Sequence, residues 1–252
     1  MAARRSPGTP KRLRGHAPTG RLRHRVVTFR IRLAEVCSRW GVPAEPLARI
    51  LSLQASDPAA STTVRDPDGA VDRHVADSLV ALDVPAVRSA RSLADIGAGA
   101  GWPGLALAAA LPSTRVFLVE SAIRHCRYLE RAVEAAGLRN VEVVHTRVEE
   151  WACACELVTA RALAALPVVL EYAAPLLVDG GHVVAWKGAV GEAEATAGRI
   201  AARQLGLELV EVRRVEPYAG ARDHTLYVFR KIAPTPSRFP RRPGMAVKRP
   251  LG

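Results

Sequence analysis

The stretch SLADIGAGAGWPGLAL, residues 92–107, restricts the possible folds of this chain more than any other feature. A short apolar run ends in Asp95 and Ile96, the glycines Gly97, Gly99 and Gly101 follow, and Pro103 stands at a first helical position before a leucine- and alanine-rich segment. Proline is preorganised for the first turn of a helix, where its missing N–H goes unused anyway. Glycines between strand and helix let the backbone turn sharply and approach a ligand with no Cβ in the way, while the helix N-terminal amides face it. The pattern predicts a strand–turn–helix unit that holds a nucleoside-containing cofactor.

From Ser92 onward short apolar runs alternate with helical segments, the mark of a doubly wound, mostly parallel sheet. Strands are expected at 92–96, 115–120, 141–146, 156–160, 182–187, 207–215 and 225–231, with helices near 103–111, 122–136, 164–174 and 190–205. Only EPYAGARDH separates the last two strands, so the final strand is expected to be antiparallel, a hairpin partner at an edge of the sheet. Upstream, Leu22, Val26, Phe29, Leu33, Val36 and Trp40 recur at helical spacing until Gly41 and Pro43 stop the pattern. A short helix through Leu47, Ile50 and Leu51, a polar linker to Gly69, and a helix through Val71, Val75, Leu79 and Leu82 complete this part. The expected organisation is a disordered basic tail over 1–21, a helical extension over 22–90, a main α/β domain over 91–232 and a basic Pro/Arg tail over 233–252.

Eight basic residues and no acid precede Val26, and seven more with no acid follow Phe229, in a chain with 36 Lys and Arg against 24 Asp and Glu. The excess positive charge therefore lies in two arms around a nearly neutral body. Such arms suit a polyphosphate partner, whose condensed counterions are released on contact; as a merely solvated run they would serve solubility. The four cysteines lack framework spacing, and Cys153 and Cys155 have no second ligand pair. All four are read as structural, with no metal site, in a protein of a reducing, cytoplasmic compartment. The uncharged residues 96–114 are broken by glycines and by Pro103 and Pro112, so no membrane span is expected, and no apolar run behind the basic N-terminus suggests a secretory signal.

Glu120 closes the second strand, 23 residues after Gly97, where a carboxylate can accept both ribose hydroxyls of a nucleoside. Read from Gly99, GAGWPG meets the GxGxxG spacing of nicotinamide dinucleotide sites. Read from Gly97, the third glycine position is Trp102, and Asp95 before the turn is usual for S-adenosylmethionine sites. Both cofactors stay open on these residues. Glu149 follows the third strand, where a methyltransferase would cradle adenine, and Arg161 ends the fourth at the carboxyl edge where substrates meet cofactor. A buried strand ending in arginine needs an anionic partner or a solvent outlet. Lys187, one of four lysines, ends the fifth strand at the same edge.

Several chemistries lack their residues. No GK followed by Ser or Thr, no GxSxG and no Pro-Cys occurs, and TARALAAL stands where exocyclic-amine methyltransferases carry Asn-Pro-Pro-aromatic. A methyl acceptor that needs neither a cysteine nucleophile nor an amine clamp is N7 of guanine. Its lone pair lies in the base plane and carries no proton, so in-line placement can carry the reaction, with arginines and a lysine holding phosphates and the guanine edge.

The segments RHVADSL, DIGAGAGWPGLAL, VESAIRHCRYLERAVEAAGL, RVEE, TARALAAL, GGHVVAWKG and TPSRFPRRPGMAVKRPL, spread from Arg73 to Gly252, together resemble the RsmG (GidB) family of bacterial small-subunit ribosomal RNA guanine-N7 methyltransferases. The resemblance implies a Rossmann-like class I methyltransferase that uses S-adenosylmethionine to methylate one guanosine, conventional position 527, in the decoding-region loop of 16S rRNA. It implies cofactor contacts from Gly97, Trp102, Glu120, Val148, Glu149 and Arg161, to which Asp95 and Gly99 are added from the turn. Arg124, Arg147 and Lys187 would face RNA, and Arg161, Lys187 and Arg147 would serve the transfer itself. The expected partner is 16S rRNA or the small ribosomal subunit, met by a monomer in the cytoplasm. Where the family carries Asn-Leu-Thr, this chain reads Ala60, Ser61, Thr62. His74 and Asp77 are expected to orient one another and the domain junction. The alternatives are a non-catalytic RNA-binding or assembly protein on a degenerate methyltransferase fold, suggested by the basic arms and the lost asparagine, and a dehydrogenase resting on GAGWPG alone.

Overall fold

A computed structural model describes the chain from Thr19 to Gly252; residues 1–18, and with them most of the N-terminal basic tail, lie outside the described residues. The α/β part runs β1 (Ser92–Ile96), α6 (Gly104–Ala110), β2 (Arg115–Glu120), α7 (Ile123–Ala136), β3 (Val141–His145), β4 (Cys155–Arg161), α8 (Leu166–Ala173), β5 (Leu177–Lys187), α9 (Glu192–Leu205), β6 (Leu207–Val215) and β7 (His224–Lys231). Before it lie α1 (Thr19–Ser38), α2 (Ala44–Ser56), α3 (Pro67–Ala70), a π-helical turn (Val71–Ala76), α4 (Asp77–Leu79) and α5 (Pro85–Ser89).

One seven-stranded sheet has the order β3-β2-β1-β4-β5-β7-β6. The first five strands are parallel, and β7 is antiparallel to both neighbours. The expected hairpin is present, but β7 is inserted between β5 and β6, which leaves β6 at the edge. Burial explains the correction. In β7, Leu226 and Val228 pack into one core while Tyr227 and Phe229 pack into the other, so this strand needs cover on both faces. In β6 alternate residues stay exposed, and Glu208 and Arg214 face solvent there; a half-polar, charged strand is tolerated at an edge.

The two-residue period of the strands divides the interior into two layers. Leu93, Val116, Leu118, Leu157 and Val184 pack with α6, α7 and the N-terminal helices, whereas Ala94, Ile96, Val119, Val158 and Val183 pack with α8, α9 and the C-terminal tail. The N-terminal helices share the first core: Phe29, Leu33, Trp40, Leu47, Ile50, Leu51, Val71, Val75, Leu79 and Leu82 are all buried in it, as their spacing predicts. Polar bonds lock the same junction. Trp186 Nε1 donates to the Asp77 carbonyl at 2.7 Å, and Arg65 donates to the carbonyls of Gln54, Asp57 and Ala60. Cys153 and Cys155 are joined by a disulfide, a pairing their structural reading did not include, while Cys37 and Cys126 are buried thiols.

The C-terminal residues dock on the second layer. Phe239 and Ala246 are buried there, and Arg241 meets the buried carboxylate of Glu171 through Nε at 2.8 Å and Nη2 at 2.5 Å. Removing one partner of such a pair strands the other charge in a poorly solvated place, which costs about 3–5 kcal/mol. Arg241→Ala is therefore expected to lower unfolding free energy in urea by about 3 kcal/mol and to open the tail to trypsin at Arg238 and Lys248, the exposed basic residues there that no proline follows. An unshifted urea midpoint would show that the tail is not held by this pair.

Candidate active site

The loop after β1 adopts the left-handed backbone its glycines allow, with φ of +67° at Gly97, +54° at Gly99 and +91° at Gly101. A Cβ on Gly97 would stand 2.5 Å from Leu163 Cδ1, so this glycine lets the loop after β4 close over the turn rather than directly clearing a ligand's path. Gly104 has the close-packing role: a Cβ there would meet Leu118 at 2.4 Å and Asp95 Oδ2 at 2.7 Å. Pro103 occupies the N-cap of α6, one place before the expected first helical position.

Asp95 lies beneath this turn, off the cleft wall, although the sequence pattern pointed it at the cofactor. On β1 it shares a face with Leu93, so it points under α6; Oδ2 accepts from Gly104 N at 2.9 Å, and Oδ1 accepts from the hydroxyl of its register partner Thr159 at 2.8 Å. Burial pushes its pKa up to about 6, against the opposing pull of those two hydrogen bonds. Its position is that of a clamp between turn, α6 and β4.

Above the turn opens a cleft of about 890 Å³ along the carboxyl ends of β3, β2, β1 and β4. Three inter-strand spacings span about 14 Å, enough for a nucleoside with an amino-acid tail. Glu120 faces this cleft almost fully buried; Oε2 accepts from Gly99 N at 3.0 Å and Oε1 from Ala122 N at 2.8 Å, with His125 Nδ1 3.7 Å away. Beyond β3, Arg147, Val148 and Glu149 line the wall with Tyr172 and, from the C-terminal tail, Gly244 and Val247. Glu149 Oε1 accepts from Gly244 N at 3.0 Å. Tyr172 also bonds Glu149; burial first, then the charge of that carboxylate, pushes its phenol up to about 12, so the hydroxyl stays a donor.

At the other end, Arg161 is a hub. Its Nη1 donates to Asp77 Oδ2 at 2.8 Å and to the Arg73 carbonyl at 2.9 Å, and Nη2 lies 3.1 Å from His74 Nδ1. Asp77 also bonds His224 Nδ1 at 2.9 Å. The expectation that His74 and Asp77 orient one another is thus replaced by a stronger arrangement, in which both grip Arg161 across the junction. His74 stacks on Trp102 with ring centroids 5.5 Å apart, and Trp102 Nε1 donates to Gln54 Oε1 at 2.7 Å. A second cleft of about 420 Å³ shares His74 and Arg161 with the first and continues past Arg73, Lys187, Arg222 and His224. Among the described residues two non-glycines have positive φ, Ala162 and Asp223, and both line it. Lys187 is engaged there: Nζ is 2.7 Å from Glu194 Oε1 and donates to the Ala164 carbonyl at 3.1 Å.

The first cleft thus gathers Gly97, Gly99, Trp102, Glu120, Arg147, Val148, Glu149 and Arg161 of the expected residues. Lys187 falls in the adjoining cleft, and Arg124 lies outside both, exposed on α7 and donating to the Pro58 carbonyl. Sequence reasoning did not place Ser61–Val64, His125, Tyr172, Leu163 or the tail residues at the site. For the tail the signal was present in RFPRRPGMAVK, but nothing in spacing says which cleft such a segment covers.

Residues 54–222 match the GidB family, described as rRNA small subunit methyltransferase G. The chain belongs to this family. It is 40% identical over 196 residues to a protein of Rubrobacter xylanophilus named ribosomal RNA small subunit methyltransferase G, covering 74% of this chain and 75% of that one. A protein of the same name from Chloroflexus aggregans is 37% identical over 235 residues, 87% of this chain and 97% of its own. Among solved structures, a ribosomal protein L11 methylase from Lactobacillus delbrueckii subsp. bulgaricus matches with a TM-score of 0.51 at 13% identity over 62% of this chain and 78% of that one, which speaks for the fold alone.

As a GidB-family methyltransferase the chain is an enzyme whose methyl donor is S-adenosylmethionine, and the first cleft fits that molecule. Glu120 would offer a carboxylate to a ribose diol, Val148, Tyr172 and Val247 would offer apolar and aromatic surface to a flat base, and the glycine turn would offer backbone without side chains. Glu120→Gln removes the charge from those acceptor bonds, and S-adenosylmethionine affinity in calorimetry is expected to fall by about 10- to 100-fold, as for loss of a hydrogen bond to a charged group. Undiminished affinity would place the ribose elsewhere.

Asp95 gives a second test. Its folded pKa lies above the unfolded value of 3.8, so between about pH 4 and 6 the native state keeps a proton that the unfolded chain releases. Its contribution is fully present below that range and is lost as pH rises through it, by about 3 kcal/mol in all. Asp95→Asn cannot ionise, so its stability relative to the unaltered protein should rise by about that amount between pH 4 and pH 7 in urea titrations. A constant difference would mean that Asp95 is ionised throughout.

Proposed function

We propose that this enzyme transfers a methyl group from S-adenosylmethionine to N7 of one guanosine, conventional position 527, in the decoding-region loop of 16S rRNA. It would act as a cytoplasmic monomer on the small ribosomal subunit or its rRNA. The names of the curated relatives support rRNA as the substrate class. Among the described residues no helix is long and apolar enough to cross a membrane.

The observation that carries the choice of atom is the state of the groups around the cleft. Glu120 and Glu149 are occupied by amide donors, and Tyr172 holds its proton. His74 is kept neutral: burial first, and then the Arg161 charge, lower its pKa to about 3, with partial opposition from the Arg73 carbonyl. Its Nδ1 faces Arg161, so neither ring nitrogen is open to take a proton. An acceptor that must lose a proton would have to call on His125, or on His224 with its Nδ1 held by Asp77, whereas N7 of guanine presents a bare lone pair and needs no base.

When bound, S-adenosylmethionine supplies an electrophilic methyl on a sulfonium. The protein contributes placement, which can carry much of such a barrier. The clamped turn fixes the floor of the cleft, Glu120 orients the ribose, and Arg161, immobilised by Asp77, His74 and the Arg73 carbonyl, presents a fixed cation where the two clefts meet. Arg147, exposed at the cleft wall, and Arg124 on the adjoining surface are cations for RNA phosphates. Lys187, held by Glu194, would steady the loop after β4 through its bond to the Ala164 carbonyl.

The test is primer extension on 16S rRNA after borohydride reduction and aniline cleavage, which breaks the strand at N7-methylguanosine, in cells with and without the gene. A stop at the decoding-loop guanosine that vanishes with the gene and returns with the intact chain is expected. Persistence of the stop in the deletion strain would rule out this acceptor.

A further inference from the structure

The hydrogen-bond chain that leaves Arg161 ends on a hydroxyl inside the cofactor cleft, and its directions follow from taking the guanidinium as the donor in its first bond. A guanidinium only donates, so His74 Nδ1, 3.1 Å from Arg161 Nη2, is an acceptor. The neutral ring then carries its proton on Nε2, which lies 3.0 Å from Thr62 Oγ1. The same Oγ1 accepts from Val64 N at 3.0 Å. Both lone pairs of the Thr62 oxygen are therefore in use, and its own proton has no acceptor among the described residues. Thr62 lines the first cleft, on a segment whose neighbour Ser61 stands over the glycine turn, 3.9 Å from where a Gly99 Cβ would be. A serine or threonine hydroxyl ordinarily reads donor and acceptor alike; this one is restricted to donating.

On the reading that the acceptor is guanine N7, we propose that Thr62 is a specificity-determining residue, whose hydroxyl donates to the exocyclic carbonyl O6 of the acceptor guanine. N7 and O6 are neighbours on one edge of guanine and both are acceptors, whereas adenine offers an amino donor at the same place. A donor-only hydroxyl beside the path to N7 holds guanine by O6 and meets adenine donor against donor, leaving two buried polar groups unpaired. Sites built on such a bond discriminate strongly against the mismatched base. The role is a second use of the Arg161 network: the charge that positions the cleft also sets the His74 tautomer, and the tautomer sets which way Thr62 points its proton.

The test combines both sides of the bond. Small subunits are reconstituted with guanosine or 6-thioguanosine at the acceptor, the sulfur being a poor hydrogen-bond acceptor, and kcat/KM for methylation is measured with the unaltered enzyme, Thr62→Ser and Thr62→Val. The unaltered enzyme and Thr62→Ser are expected to lose about 10- to 100-fold on the thio substrate. Thr62→Val should lose a similar factor on guanosine and nothing further on the thio substrate, with S-adenosylmethionine affinity by calorimetry unchanged in all three. Nitrogen-15 NMR should show His74 protonated at Nε2. Equal rates of the unaltered enzyme on both substrates would overturn the proposal without recourse to any variant. So would additive losses, or a Thr62→Val defect confined to S-adenosylmethionine affinity, which would assign the hydroxyl to the cofactor carboxylate. Failure of the unaltered enzyme to methylate N7 of guanosine at all would instead sink the reading of the reaction on which this rests.

Discussion

The guanidinium of Arg161 is where the N-terminal helices, the sheet and both clefts are joined. It ends β4, the strand beside the glycine turn, and its partners Asp77, His74 and the Arg73 carbonyl all come from the helical segment before β1. A cation this enclosed persists only because a carboxylate and oriented acceptors replace its water. The pairing makes the N-terminal extension a wall of the site: Ser61, Thr62, Thr63, Val64 and His74 close the cleft from that side. Trp102 on Gln54 and Trp186 on the Asp77 carbonyl fasten the same wall at two further points.

Asp95 is the counterpart on the floor of the cleft, and the two buried ions are handled in opposite ways. Arg161 keeps its charge and is matched by one; Asp95 has no cation in contact, so burial raises its pKa while two donors retain it in place. The difference follows from position. Arg161 reaches the mouth of the sheet, where residues from other elements can converge on it, whereas Asp95 points under α6 with only Gly104 N and Thr159 within reach. Asp95 holds the turn from below through Gly104 N, and His74, gripped by Arg161, stacks on Trp102 from the other side, so part of the conformational entropy of a glycine-rich loop, which would otherwise oppose ligand binding, is already spent in the folded state.

Period and punctuation made the sheet legible: the strands and helices from Ser92 to Leu205 lie where alternating apolar runs and glycines indicate. The place of β7 was less accessible, because sequence order shows that a strand returns by hairpin but not on which side of its partner it inserts; that is decided by which strand can tolerate a solvent-facing side. At the site, Glu120 and Arg161 were visible as charges that close apolar runs at the carboxyl edge of the sheet. Asp95 had the same appearance, and only the side of the pleat separates a clamp from a ligand contact. His74 and Thr62 looked like an ordinary helix residue and an ordinary linker residue, since their roles exist only through Arg161, 87 residues beyond His74 in the chain.

The C-terminal tail shows how one short segment can join two requirements that look separate in sequence. Its composition, arginine and proline with no acid, reads as a polyanion-binding arm. In the fold it is also part of the cofactor cleft: Arg241 anchors it on Glu171, Gly244 donates to Glu149, and Val247 lines the wall. Between and beside these anchors, Arg242, Lys248 and Arg249 remain exposed. A polyanion attracted to those cations is therefore brought to the rim of the cleft, and the anchors that hold the rim are hydrogen bonds and a buried ion pair rather than apolar packing alone. Were those cations to bind the large substrate, its binding and enclosure of the small one would depend on the same short stretch of chain, which gives a physical reason for a basic tail to be folded down instead of left in solvent.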